Sequence, residues 1–127
     1  MEPASIDWRT RGQTVRPDGR LLIDGQRRSA TDGQTFACIS PVDGRTLGQI
    51  ARGQAADIDL AVAGARRAFE RGRWSGQAPS ARKRTLLRFA ERILAARDEL
   101  ALLETLDMGK PVRFSLSVDV PAAARCI

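Results

Sequence analysis

The chain has 127 residues, 43% of them hydrophobic, and a formal net charge of +6. That hydrophobic content is sufficient for a folded core and argues against a disordered chain. The sequence contains no histidine and no tyrosine. It therefore excludes a Ser-His-Asp or Cys-His catalytic site built within these residues, and it lacks the commonest transition-metal ligand.

Neither a membrane span nor a secretory signal is visible in the sequence. No apolar run approaches the roughly 20 residues that cross a bilayer, and the N-terminal residues are polar. The two cysteines, Cys38 and Cys126, are far apart and form no metal-binding or redox spacing. We therefore expect a reducing, cytoplasmic location.

The first half of the sequence predicts a tail followed by short strands. Residues 1–20 read as a flexible N-terminal tail with scattered charge. Strands are predicted over residues 21–26, with an Asp-Gly turn, and then over residues 35–39 and 46–51. The connections are too short for crossover helices, so we expect antiparallel pairing.

The pattern then changes to a helical period. Ile58, Val62, Ala65 and Phe69 fall on one helical face, and Asp57 lies near the start, where a carboxylate favours the helix dipole. A long second helix is predicted over residues 81–108.

The two ends of the long helix carry recognisable signals. Ser80 is the predicted N-cap. Gly109 suits the left-handed position that ends a helix, and Pro111 cannot continue one.

A third helix is predicted from about Arg113, because Val118, Ala122 and Cys126 are four residues apart. Pro121 would be costly in its interior, so we expect the helix to kink or restart there. The sequence stops within this amphipathic pattern. We expect a domain that is truncated at its C-terminal end.

Positive charge is concentrated between Arg66 and Arg97, where ten Lys or Arg residues accompany only two Glu, a net charge of +8. One interpretation is the solvated face of two helices. The alternative is a stand-alone basic adaptor that binds an acidic partner or nucleic acid, but no base-reading motif or stacking aromatic accompanies the charge. We expect no specific nucleic-acid binding.

Several segments, in this order, resemble the start of the NAD(P)-dependent aldehyde dehydrogenases. They are L-L-I-D-G-Q at 21–26, F-x-x-I-S-P-V-D-G at 36–44, F-E-R-G-R-W-S at 69–75, and L-E-T-L-D-M-G-K-P at 103–111. Within the family, the third segment and D-V-P-A-A-A-R at 119–125 are similar to the γ-glutamyl-γ-aminobutyraldehyde dehydrogenases of putrescine breakdown.

The resemblance implies an α/β fold. Residues 21–127 would be the N-terminal part of a Rossmann-type cofactor domain, with short antiparallel strands followed by three helices. The full enzyme would be a homo-oligomer that oxidises an aldehyde to an acid with NAD or NADP. Its nucleophilic cysteine, catalytic glutamate and Gly-rich turn would lie outside this segment, which alone would bind no cofactor and be inactive.

No residue of the segment is predicted to be catalytic or to bind the cofactor. Cys38 and Cys126 are interpreted as small buried hydrophobes, the usual role of a free cysteine. Glu104 is interpreted as a carboxylate at a helix surface or cap, not as the catalytic base.

Two sets of site residues follow from the resemblance. The carbonyl oxygens of Cys38 and Ile39, together with Asp107, match a structural site for a monovalent cation, and oxygen ligands suit such a hard cation. The alternative is that Asp107 only bonds nearby backbone at a helix end. Val118 and Ala122 match positions that line the aldehyde entrance, with simple packing as the alternative; a small Ala122 predicts a wide mouth.

Overall fold

A computed structural model describes residues 6–127. Four strands lie between one short N-terminal helix and the larger helices. The strands are β1 (Leu21–Ile23), β2 (Gln26–Arg28), β3 (Thr35–Ile39) and β4 (Thr46–Ala51). The helices are α1 (Trp8–Thr14), α2 (Ala55–Glu70), α3 (Pro79–Ala95), α4 (Arg97–Met108), α5 (Val112–Phe114) and α6 (Val120–Arg125), with a π-helical turn (Ser115–Asp119) before α6.

The strands form two separate antiparallel hairpins, β1 with β2 and β3 with β4. This confirms the predicted antiparallel pairing. The first predicted strand is itself a hairpin, because Asp24 and Gly25 both have positive φ and reverse the chain after three residues. Described residues 6–127 therefore contain four strands where the sequence predicted three.

The N-terminal stretch is helical, which corrects the predicted flexible tail over the described residues. Asp7 caps α1 by accepting hydrogen bonds from the backbone N–H groups of Arg9 and Thr10, both at 3.1 Å. The buried Gly12 packs beside Leu102 and Leu106 of α4. Together these contacts hold α1 in place against α4. Residues 1–5 of the predicted tail lie outside the described residues.

Gly19 is required where the chain crosses β4. Its carbonyl accepts a hydrogen bond of 2.8 Å from the backbone N–H of Ala51. An added Cβ at Gly19 would lie 2.0 Å from the carbonyl oxygen of Gln49. Only glycine permits this approach of the two backbones.

The predicted long helix is divided at Ala96, between α3 and α4. Ala96 has φ −93° and ψ 12°, outside helical values. Its N–H still donates to the carbonyl of Arg92, and its carbonyl still accepts from Leu100. The helical spacing of apolar residues therefore continues from α3 into α4, and it could not predict the break at Ala96.

The ends of these helices partly follow the sequence signals. Gly109 has φ 76° and its N–H donates to the carbonyl of Thr105, which confirms the predicted C-terminal stop. At the other end, the N-cap is Ala78 and Pro79 is the first helical residue, so the predicted Ser80 cap is wrong by two positions. The fixed φ of proline favours that first position.

Asp57 joins α2 to the loop that follows β2. Its side chain is only 2% exposed. One oxygen accepts from the N–H and the hydroxyl of Thr31, at 3.0 and 2.6 Å, and the other accepts from the N–H of Gln54 at 2.9 Å. The backbone N–H of Gln54, followed by the Thr31 hydroxyl, holds the pKa of Asp57 below its ordinary value.

We expect Asp57→Ala to lower the Tm of the complete protein by about 2 °C or more, because three donors lose their acceptor. Asp59→Ala, at an exposed position two residues along α2, is the matched control. Since the pKa is lowered on folding, Asp57 stabilises the protein fully above its ordinary pKa. The difference between the unsubstituted protein and Asp57→Ala should shrink as the pH falls below that value. Thermal unfolding across pH tests both points, and an equal Tm loss at every pH would contradict them.

Candidate functional site

Two of the three residues of the predicted cation site, Cys38 and Asp107, meet between the end of β3 and the end of α4. Cys38 and Asp107 are 69 residues apart in sequence, yet the Cys38 thiol donates to a carboxylate oxygen of Asp107 at 3.5 Å. A β-bulge lies between Cys38 and Ile39 in the pairing with β4. The β3–β4 hairpin and the C-terminal turn of α4 thus bring Cys38 and Asp107 into contact.

An apolar cavity of about 370 Å³ adjoins Cys38 and Asp107. Its lining includes Leu47, Ile50 and Met108. Burial, followed by the hydrogen bond and the charge of Asp107, raises the pKa of the Cys38 thiol. At neutral pH this thiol is therefore protonated, which is unsuited to nucleophilic attack.

The contact at this locus joins the Cys38 thiol to the carboxylate of Asp107. Residues 6–127 hold no group of three or more His, Cys, Asp or Glu side chains placed to bind a metal ion. A cation between Cys38, Ile39 and Asp107 would therefore depend on backbone carbonyl oxygens beside one carboxylate. Such a set suits a monovalent cation better than a transition metal.

The predicted entrance residues lie on the last helical segment. Val118 belongs to the π-helical turn and is 51% exposed, and Ala122 in α6 is partly exposed. The buried residues of this segment are Ser115, Val120 and Ala124 instead. The four-residue spacing of Val118, Ala122 and Cys126, which predicted this helix, thus marks its outward face.

The helix restarts at Pro121 as expected, with the proline in the first turn of α6. Cys126 is exposed at the end of α6, so its interpretation as a buried hydrophobe is wrong. The cause is that Cys126 continues the outward face of Val118 and Ala122. Cys38 is half-buried, and Glu104 is partly buried beside the cavity near Asp107.

Large apolar faces of α2 and α3 are exposed in the described part of the chain. The α2 face predicted from the helical period is open: Ile58 and Val62 are each 60% exposed and Phe69 is 65% exposed. No residue of α3 is buried, and Leu87, Phe89 and Leu94 are all exposed. Contiguous apolar surface of this kind marks a face that another polypeptide surface covers.

The basic residues form a solvated surface on the same two helices. Residues predicted to face away from the apolar stripes are exposed: Arg67, Arg71, Arg84, Arg88 and Arg92. Arg67 pairs with Asp24 at 2.8 Å across to the first hairpin. Among residues 6–127, no helix is long and apolar enough to cross a membrane.

Comparison with known proteins identifies the protein family. The aldehyde dehydrogenase family matches residues 28–127. The chain belongs to the aldehyde dehydrogenase family.

Individual relatives place the chain at one end of much longer proteins. It is 45% identical, over 120 residues, to the NADP/NAD-dependent aldehyde dehydrogenase PuuC of Escherichia coli, covering 94% of this chain and 24% of that protein. It is 48% identical, over 102 residues, to the aminoacetaldehyde dehydrogenase of Pseudomonas aeruginosa, covering 80% of this chain and 21% of that protein. The chain thus spans about a quarter of the length of these relatives.

Solved structures share the fold closely. The γ-glutamyl-γ-aminobutyraldehyde dehydrogenase of Burkholderia cenocepacia superposes with a TM-score of 0.92 at 50% identity, covering 94% of this chain and 24% of that chain. The indole-3-acetaldehyde dehydrogenase of P. syringae, in complex with NAD+ and IAA, gives 0.92 at 52% identity over the same shares. The predicted α/β fold, the N-terminal part of an aldehyde dehydrogenase, is therefore confirmed.

Proposed function

We propose that this chain is the N-terminal segment of an NAD(P)-dependent aldehyde dehydrogenase that oxidises an aldehyde to a carboxylic acid. The observation that carries the proposal is the superposition of 94% of the chain on one quarter of solved aldehyde dehydrogenases. In the complete enzyme a cysteine thiolate attacks the aldehyde and a hydride passes to the nicotinamide. We assign those groups to the remainder of the enzyme, since burial and the neighbouring Asp107 raise the pKa of the Cys38 thiol, and Cys126 lies exposed at the end of α6.

The role that we propose for this segment is structural support of the cofactor domain. The open apolar faces of α2 and α3 supply the surface on which the remainder of the enzyme packs. The exposed arginines beside those faces remain a solvated surface and bind no specific nucleic acid. We propose that the complete enzyme is a cytoplasmic homo-oligomer, as expected from the sequence.

For the substrate, we propose γ-glutamyl-γ-aminobutyraldehyde or a related aminoaldehyde, which would place the enzyme in putrescine degradation. Support comes from the similarity to two dehydrogenases named for such substrates. Val118 and Ala122, on the outward face of the last helical segment, would line the entrance. The small side chain of Ala122 leaves room for a long, polar aldehyde.

The experiment compares kcat/KM of the intact enzyme for γ-glutamyl-γ-aminobutyraldehyde, aminoacetaldehyde and indole-3-acetaldehyde, with NAD+ and with NADP+. We expect at least about tenfold preference for one of the two aminoaldehydes. Preference for indole-3-acetaldehyde would overturn the substrate assignment while leaving aldehyde oxidation intact. Ala122→Leu should raise KM for the favoured aldehyde more than for acetaldehyde.

We also propose that Asp107 and the carbonyl oxygens of Cys38 and Ile39 bind a monovalent cation that stabilises the β3–β4 hairpin against α4. The contact of the Cys38 thiol with Asp107 across the fold supports this assignment. No catalytic step depends on it.

Asp107→Ala is expected to remove most of the rise in Tm that K+ or Na+ gives to the intact enzyme, because the only carboxylate of the set is lost. Asp59→Ala, an exposed carboxylate on α2, is the matched control. Thermal unfolding in potassium, sodium and tetramethylammonium chloride at equal ionic strength separates binding from screening. An equal Tm in all three salts, or an unchanged salt response in Asp107→Ala, would contradict the cation site.

A further inference from the structure

Four Asp-Gly dipeptides lie in the turns and loops of the first half of the chain. They are Asp18-Gly19, Asp24-Gly25, Asp32-Gly33 and Asp43-Gly44. In such a dipeptide the backbone nitrogen of glycine can attack the side-chain carboxyl group of the aspartic acid, since glycine has no Cβ to obstruct the approach. The attack requires a glycine N–H that is free of other bonds and an aspartate side chain that is free to move. The fold distinguishes the four dipeptides on both counts.

Two of the dipeptides have the glycine N–H in a backbone hydrogen bond. The N–H of Gly33 donates to the carbonyl of Ala30 at 2.9 Å. The N–H of Gly44 donates to the carbonyl of Ser40, also at 2.9 Å. Attack by either nitrogen must first break that hydrogen bond, so both dipeptides are poorly placed for the reaction.

The Asp18-Gly19 dipeptide is held at both residues. The carboxylate of Asp18 pairs with Arg20 at 2.8 Å and with Arg27 at 3.3 Å. Gly19 lies so close to β4 that an added Cβ would be 2.0 Å from the carbonyl oxygen of Gln49. Attack at this dipeptide would therefore break two ion pairs and disturb the contact with β4.

Asp24-Gly25 differs from the other three dipeptides. It forms the turn between β1 and β2, where Asp24 has φ 52°, a left-handed conformation that is unfavourable for a residue with a Cβ. Within residues 6–127, the N–H of Gly25 donates no hydrogen bond. Apart from its chain neighbours, no atom lies within 4 Å of the position that a Cβ of Gly25 would take. The nitrogen of Gly25 is thus open and unengaged.

The side chain of Asp24 is 58% exposed, but Arg67 of α2 restrains it. The Arg67 guanidinium contacts the Asp24 carboxylate at 2.8 Å. This hydrogen bond, followed by the charge of Arg67, holds the pKa of Asp24 below its ordinary value. A protonated carboxyl group can lose water when it is attacked, whereas an ionised one would have to lose an oxide ion. Arg67 therefore slows the attack by keeping the carboxylate ionised.

We propose that Asp24-Gly25 is a modification site, at which aspartate converts to isoaspartate without a catalyst, and that Arg67 protects it. The nitrogen of Gly25 bonds to Cγ of Asp24, and the N–H proton and the carboxyl hydroxyl leave as water. The product is a five-membered succinimide. A second water then adds to the former backbone carbonyl of Asp24, and the bond from that carbon to the nitrogen breaks. The chain now runs through Cγ, and no oxidant or cofactor has entered.

The modification would loosen the first hairpin from α2. A Cβ at Gly64 would lie 3.3 Å from Cβ of Asp24, so Asp24 packs directly against α2. Isoaspartate adds one atom to the backbone of the turn and moves the carboxylate away from Arg67. Both links between the turn and α2 are then lost. The proposal does not depend on the proposed function.

The test is ageing of the intact enzyme that carries this segment, at neutral pH and physiological temperature. Trypsin then releases residues 21–27, in which Asp24 is the only aspartate. Synthetic peptides with aspartate or isoaspartate at this position calibrate the chromatography, and fragmentation of residues 29–45 distinguishes Asp32 from Asp43. We expect isoaspartate at Asp24 to exceed that at each other dipeptide by about threefold or more, because the others must first break stronger contacts.

Substitutions of Arg67 test its protective role. Arg67→Gln should raise the rate of isoaspartate formation at Asp24 by about threefold or more, because the carboxyl group is then protonated more often. Arg67→Lys keeps a positive charge and a donor, so the rate should stay within about twofold of the unsubstituted enzyme. Arg66→Gln removes an exposed charge from the adjacent residue of α2 and is the matched control.

The ranking of the four dipeptides in the unsubstituted enzyme needs no variant. More isoaspartate at any of the other three, or none at Asp24 in either the unsubstituted enzyme or Arg67→Gln, would overturn the site. An unchanged rate in Arg67→Gln, or an equal rise in Arg66→Gln, would overturn the protective role of Arg67. Each of these outcomes leaves aldehyde oxidation by the enzyme standing.

Discussion

Residues 1–127 alone are expected to give no aldehyde-dependent reduction of NAD+ or NADP+ above the uncatalysed background. The chain contains no histidine and no Gly-rich phosphate-binding turn. Burial and the neighbouring Asp107 raise the pKa of the Cys38 thiol, which removes the thiolate that attack requires. Cys126 is exposed at the end of α6, in a chain that has no histidine to act as its base.

The measurement is NAD(P)H absorbance with highly purified chain and the aldehydes named above. Cys126→Ala and Cys38→Ala provide the controls, because they distinguish turnover by this chain from turnover by a contaminating dehydrogenase. Turnover that persists in both variants points to contamination. Turnover that either substitution abolishes would contradict the assignment of the catalytic groups to the remainder of the enzyme.

The second large effect concerns association of the isolated chain. Exposed apolar side chains on α2 and α3 form open faces, with Phe69 at 65% exposure. We expect the isolated chain to form soluble oligomers or aggregates and to unfold without a sharp cooperative transition. In the complete enzyme the same faces should be covered and the chain should unfold cooperatively.

Size-exclusion chromatography with light scattering measures the association. Phe69→Glu should reduce it, because the substitution replaces the largest apolar side chain of the open α2 face by a charge. Ala63→Glu changes the net charge equally at another exposed position of α2 and should have little effect. A monodisperse monomer with a sharp thermal transition would contradict the expectation and favour a stand-alone basic adaptor.

Local sequence signals predicted the parts of the fold that local chemistry decides. The left-handed conformation of Gly109 and the reversal of the chain at Asp24 and Gly25 each follow from the two or three residues involved. The α1 helix had such a signal too. Asp7 is an N-cap residue, but it lies in a polar stretch. Too few apolar residues recur there at helical spacing to predict the helix that follows.

Features that depend on distant contacts were not predicted. The apolar period of α2 identifies a helical face correctly, but it cannot say whether that face is covered by this segment or by another. The face against the first hairpin is instead marked by the buried Asp57 and Gly64, which carry no hydrophobic signal. The four-residue spacing of Val118 and Ala122 predicted the last helix but not its buried face, which Ser115, Val120 and Ala124 form across the π-helical turn.

For the candidate cation site, the resemblance indicated two residues that lie close together in the fold. Cys38 and Asp107 meet across 69 residues of sequence, a contact that no spacing rule predicts. A proline at residue 121 predicts a kink or restart of the helix, but not the geometry of the π-helical turn that precedes it. Packing of Ser115 and Val120 on one face determines that geometry.

The central claim is that these residues are one part of an aldehyde dehydrogenase. Its most direct test is purification of a longer protein that carries this sequence, followed by measurement of NAD(P)H formation with γ-glutamyl-γ-aminobutyraldehyde. We predict saturable, aldehyde-dependent NAD(P)H formation by the longer protein and none by residues 1–127. A longer protein that is folded but oxidises none of the aldehydes tested, or a 127-residue chain that is active alone, would contradict the claim.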